Sequence, residues 1–82
     1  MNTEKTFADR LKELRNIRNY TQEELGKITN ISVQSIRRYE QGRLNEEPSA
    51  YNLLQLAKAL DVTPEYLLIG DNNMTSYTEA IK

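Results

Sequence analysis

Residues that cap helix starts recur along this chain at short intervals, and they constrain its fold more than any other feature. Thr6 is followed three residues later by Asp9, Thr21 by Glu24 and Ser76 by Glu79, each a hydroxyl-x-x-acid box in which side chain and backbone satisfy one another's free groups. Ser32 is a good single N-cap, Pro48-Ser49 opens another helix, and Thr63-Pro64-Glu65 places a hydroxyl, a proline at the first helical position and an acid in the first turn. Between these starts the apolar residues keep a helical period, and no stretch alternates as a half-buried strand would. Phe7, Leu11, Leu14 and Ile17 predict one inner face, Leu25 and Ile28 a second, and Leu53, Leu56, Ala57 and Leu60 a third. Thr29-Asn30-Ile31 predicts a tight turn, because Asn tolerates the left-handed conformation. Gly42 and Gly70 end the third and fifth helices. The expectation is an all-α domain of five short helices over residues 1–70, with residues 71–82 a connector and the start of a C-terminal helix or linker.

Size and composition narrow the chemistry. Eighty-two residues make one small domain with a thin core. The chain has no Cys and no His, which excludes disulfides, zinc fingers and thiol or imidazole catalysis. No cofactor and no metal are expected. The longest apolar run, Tyr66 to Ile69, is far short of the 18 or so residues of a membrane span. The first residues do not resemble a secretory leader, so a cytoplasmic protein with no membrane association is expected. Asp9, Glu13, Glu23 and Glu24 are carboxylates predicted on exposed helix faces, without a nucleophile or a glycine-rich phosphate loop, so no enzyme activity is expected. The net charge of −1 hides an asymmetry: residues 1–44 carry nine basic and six acidic side chains, and residues 45–82 carry two basic and six acidic. The first part is thus +3 and the second −4, a field that is positive at one pole. Chance clustering produces such splits too, so charge alone does not assign a partner.

The stretch Gln22 to Gln41 is more telling. Two short helices joined by a three-residue turn have the spacing of a helix-turn-helix. Leu25, Ile31, Ile36 and Tyr39 supply its apolar contacts, and Gly26 stands where the helices approach most closely. A mid-helix Gly costs up to about 1 kcal/mol relative to Ala, which close packing explains. On a wheel of about 100° per residue, Val33, Gln34, Arg37 and Arg38 share one continuous face, with Ile36 and Tyr39 opposite. An amide, two guanidinium groups and an apolar branched side chain match what a major groove presents: adenine edges, guanine O6 and N7, and thymine methyls. A plain solvated surface explains the same residues when the face is taken by itself; the turn and the packing pattern favour DNA.

Thr21-Gln22-Glu23-Glu24-Leu25, Ile31-Ser32, Ile36-Arg37-Arg38-Tyr39-Glu40-Gln41-Gly42 and Leu53 to Leu60 together resemble the phage-repressor and Cro-like helix-turn-helix family, over roughly residues 7 to 69. The resemblance implies that the third helix reads double-stranded DNA, with Gln34 and Arg38 as the leading base contacts, Val33 next, and Arg37 shared between base and phosphate. It implies phosphate contacts from Thr21, Gln22, Ser32, Arg43 and Asn45, helped by helix N-terminal amides. It also implies a partly buried ion pair between Arg15 and Glu40, and a homodimer on paired half-sites that acts as a transcriptional repressor. Dimer contacts are expected past the fourth helix, from Tyr66, Leu68 and Ile69, with Tyr77 and Ile81 as further candidates. Three departures stand out. Thr29 replaces a larger apolar residue and Asn30 a Gly, with some loosening of the turn expected; Glu46 and Glu47 put two acids in a loop that relatives use on phosphate. An alternative use of the same fold is an antitoxin or adaptor working through protein contacts. The short helix start at Ser76 fits two arrangements: a segment that docks on the domain or on a dimer partner through Tyr77 and Ile81, or the DNA-binding portion of a longer repressor whose additional C-terminal domain would supply dimerisation.

Overall fold

The computed structural model describes residues 5–43 and 47–70. Five helices follow one another: α1 (Phe7–Ile17), α2 (Gln22–Thr29), α3 (Val33–Gln41), α4 (Ala50–Leu60) and α5 (Pro64–Leu68). The described residues contain no strand. Each helix starts on the capping residue that the sequence offers. Thr6 and Thr21 form reciprocal boxes with Asp9 and Glu24, while Ser32, Ser49 and Thr63 accept from the amides of Ser35, Asn52 and Tyr66. Left-handed residues close the turns: Asn19, Asn30 and Asp61 at φ near 60°, and Gly42 at 73°. The sites predicted at Ser76–Glu79, Tyr77 and Ile81, and the connector at 71–75, lie outside the described residues.

One core joins all five helices. Leu11, Leu25, Ile36, Leu56, Leu60 and Leu67 are fully buried, and Ile31, Tyr39 and Ala57 complete the cluster. Phe7 meets the Tyr39 ring edge-on, with centroids 6.1 Å apart, and the Tyr39 hydroxyl accepts a hydrogen bond from Asn52 Nδ2 at 3.1 Å. That bond ties α3 to α4 at the far side of its outward face.

Two apolar residues assigned to inner faces are outside. Ile17 is 67% exposed and Ile28 is 51% exposed. The reason is angular. Steps of three residues fall short of the 3.6-residue turn, so Ile17 has rotated about 120° away from Leu11. In α2 the buried stripe is Leu25, Gly26 and Thr29, and Ile28 falls about 60° outside it. Thr29 fits this buried position because its hydroxyl donates to the carbonyl of Leu25 at 2.7 Å, leaving no unsatisfied polar atom.

Arg10 is a buried cation that the sequence did not reveal. Its guanidinium donates to three backbone carbonyls: Nε to Leu67 at 2.9 Å, Nη2 to Leu68 at 2.7 Å and Nη1 to Lys5 at 2.6 Å. The positive group thus closes the carbonyl end of α5, where the helix dipole favours it. Five residues make too short a helix to persist alone, and Arg10 with the buried Leu67 fixes α5 against α1.

Candidate nucleic-acid interface

The interface is built on the turn between α2 and α3. The carbonyl of Gly26 accepts from the amides of both Asn30 and Ile31, the latter at 3.1 Å. A Cβ built on Gly26 would lie 2.8 Å from the Ile31 carbonyl oxygen. Close approach, not backbone conformation, therefore requires Gly at this position. The turn fixes the angle between the two helices, and α3 leaves it from the Ser32 cap, where Ser32 Oγ accepts from the Ser35 amide and donates to Ser35 Oγ.

Ile36 and Tyr39 anchor α3 to the core. The opposite face carries the predicted base-reading residues: Val33 is half-buried, and Gln34, Arg37 and Arg38 are exposed. The helix brings these four together on one surface. Arg38 makes no ion pair with another described residue. Arg37 is engaged: its Nη2 lies 3.2 Å from Glu23 Oε2 on α2.

Glu40, also on α3, belongs to a buried polar junction. Arg15 Nε and Nη2 donate to the two oxygens of Glu40 at 2.7 and 3.1 Å, and Arg15 Nη1 donates to the Tyr20 carbonyl at 2.9 Å. The side chains are 13% and 4% exposed. The Glu40 hydrogen bonds hold the Arg15 pKa above its ordinary value. Gln22 Nε2 adds a third donor to Glu40 at 3.0 Å. One carboxylate of α3 thus binds α1 and α2 together.

The expected phosphate contacts fare unevenly. Thr21 and Ser32 sit exposed at the starts of α2 and α3, where they serve as caps, and Arg43 is exposed just past α3. Gln22 is half-buried and uses an amide N–H on Glu40, with its carbonyl oxygen and second N–H left over. Asn45 and Glu46 lie outside the described residues; Glu47 is exposed. Sequence reasoning missed the Gln22–Glu40 and Glu23–Arg37 contacts, 18 and 14 residues apart, because no local pattern joins them. Among the expected dimer residues, Tyr66 is half-buried, while Leu68 and Ile69 are 37% and 51% exposed. Among the described residues no group of acidic side chains is placed to hold a metal ion, and no helix is long and apolar enough to cross a membrane.

Comparison with known proteins places this geometry. Residues 11–67 match the family described as helix-turn-helix. The chain is 38% identical over 76 residues to Repressor protein C2 of Salmonella phage P22, covering 93% of this chain and 34% of that protein. It is 34% identical over 68 residues to the HTH-type transcriptional regulator DicA of Escherichia coli (strain K12), covering 83% of this chain and 49% of that regulator. The chain therefore spans a third to a half of the length of these curated relatives. A solved structure of the P22 c2 repressor in complex with synthetic operator 9T, in the presence of Tl+, superposes with a TM-score of 0.76 at 35% identity, over 83% of this chain and 100% of that one. The chain belongs to the helix-turn-helix family, in its phage-repressor, Cro-like branch.

Proposed function

We propose that this chain binds double-stranded DNA sequence-specifically, with α3 in the major groove, and acts as a transcriptional repressor. The observation that carries this reading is the outward face of α3. Gln34, Arg37 and Arg38 are exposed side by side on a helix whose other face is locked into the core. These are the donors and acceptors that distinguish base edges. The P22 c2 repressor, whose solved chain is matched over its whole length, is bound to a synthetic operator.

Gln34 and Arg38 are the base readers, with Val33 against a thymine methyl. Thr21, Gln22, Ser32, Arg43 and Asn45 position the duplex through its phosphates. One helix reads too few base pairs to find a genomic site, so two copies act on half-sites about one helical turn apart, in contact through Tyr66, Leu68 and Ile69. The protein works where bacterial or phage DNA is, in the cytoplasm, and carries out no catalysis.

The test is selection of bound duplexes from a random pool, followed by Arg38→Ala. The variant should bind about 1–3 kcal/mol more weakly and accept any base at one position of each half-site. Unchanged affinity together with an unchanged selected motif would rule out α3 as the reading element.

A further inference from the structure

We infer that Glu23 is a specificity-determining residue: it holds Arg37 back from DNA phosphates and so suppresses binding to the wrong sequences. This rests on the DNA-binding reading above. The α3 face carries two guanidinium groups that are not equivalent. Arg38 has no ion-pair partner among the described residues, whereas Arg37 leans across to α2 and meets the Glu23 carboxylate at 3.2 Å. Both members are open to solvent, at 49% and 62% side-chain exposure, so the pair can be opened by a competing anion. Glu23 lies in the first turn of α2, where the helix amides favour a carboxylate.

A phosphate is the competing anion that a duplex supplies. Binding without sequence preference consists almost wholly of phosphate neutralisation by Lys and Arg. Every guanidinium at the face adds to it, and Arg37 is withheld by its neighbour. Releasing Arg37 also exposes the Glu23 charge at the edge of the same face, where it repels the backbone. In the seated complex Gln34 and Arg38 hold base edges and fix the register of α3, so Arg37 is not free to seek the best phosphate as it is in a complex without base contacts. Glu23 thus subtracts most from the complexes in which Arg37 would otherwise settle on a phosphate.

The experiment measures anisotropy of two labelled duplexes, one of scrambled sequence and one enriched from a random pool, between 50 and 200 mM salt. Glu23→Gln keeps the size of the side chain and removes the charge. It should tighten scrambled-duplex binding and steepen the slope of log affinity against log salt by about 0.9, one added phosphate contact. The gain should therefore be roughly threefold to fourfold larger at 50 than at 200 mM. The enriched duplex should gain less, so the ratio of the two affinities falls. In an Arg37→Ala background the substitution should gain clearly less, because only the carboxylate's own repulsion of the backbone is then relieved. Unchanged scrambled-duplex binding in Glu23→Gln overturns the inference, and so does a gain that is undiminished without Arg37, since the charge then acts without the pair. Wild-type protein that retains neither duplex at any salt overturns the DNA-binding reading as well; wild-type binding with an unresponsive Glu23→Gln overturns only the role of Glu23.

Discussion

Replacing Gly26 by Ala sets two rules against each other. Helix propensity favours Ala over Gly by about 0.8–1 kcal/mol in a helix interior. Gly26 lies inside α2 and is not among the positive-φ residues, so propensity alone predicts a more stable protein. Space predicts the reverse. The new Cβ would stand 2.8 Å from the Ile31 carbonyl oxygen, well inside contact distance, and 3.7 Å from both Ile36 Cδ1 and the Val33 amide. The obstructing atom is backbone, and that backbone is pinned by the amides of Asn30 and Ile31 on the Gly26 carbonyl. Relief therefore requires the turn to open. Overpacking of this kind costs about 1–3 kcal/mol, which exceeds the propensity gain. Taking the middle of these ranges, the net expectation is a loss of about 1 kcal/mol, or a fall in Tm of roughly 4–8 °C for a domain this size. Urea melts followed by circular dichroism at 222 nm measure the difference, with the slope unchanged if both proteins unfold in two states. A Gly26→Ala variant as stable as the parent, or more so, would refute the argument, because it would mean that the turn yields without cost.

Glu40→Ala leaves Arg15 at 13% side-chain exposure with only the Tyr20 carbonyl, so the loss should be about 3 kcal/mol, near the low end for a broken buried pair. The double replacement Arg15→Met/Glu40→Leu should recover much of it, and a loss below about 1 kcal/mol in the single variant would class the pair with exposed ones. Asp9 is held below the ordinary carboxylate range by the Thr6 amide and hydroxyl. Its stabilising effect is therefore full above the ordinary value of about 3.9 and disappears as pH falls through the lower folded value, so wild type and Asp9→Asn should differ at neutral pH and converge in acid. A difference that persists unchanged at pH 2 would contradict this. Ile69→Lys should weaken joint occupancy of paired half-sites while leaving a single half-site nearly unaffected; footprints equally cooperative in both proteins would place the dimer contact elsewhere.

Much of the fold was legible because its signals are local. Thr6, Thr21, Ser32, Ser49 and Thr63 cap helices through groups three residues away, and a reader of sequence sees such pairs directly. The α3 face was legible for the same reason, since Val33, Gln34, Arg37 and Arg38 lie on one helix. Ile17 and Ile28 misled because a three-residue step resembles helical spacing while drifting off the face. Three polar contacts between helices left no such local trace. Gln22 on Glu40, Glu23 on Arg37, and Arg10 on the carbonyls of α5 depend on how helices cross, and each joins residues of ordinary surface type. Arg10 illustrates this best: a lone Arg on α1 reads as solvated, and only the fold brings a carbonyl terminus to it.

Because three helices share the Glu40 carboxylate, α3 cannot tilt or slide without breaking contacts on α1 and α2 together. In the DNA-binding role proposed above, a body so braced would have few of its own degrees of freedom left to freeze on binding. It adapts poorly to an imperfect site. Differences between right and wrong sequences are then expressed chiefly in how long the protein stays, and only weakly in how fast it arrives. A stiff reader of the proposed kind would thus pass over many base pairs quickly and dwell where base and phosphate contacts fit at once.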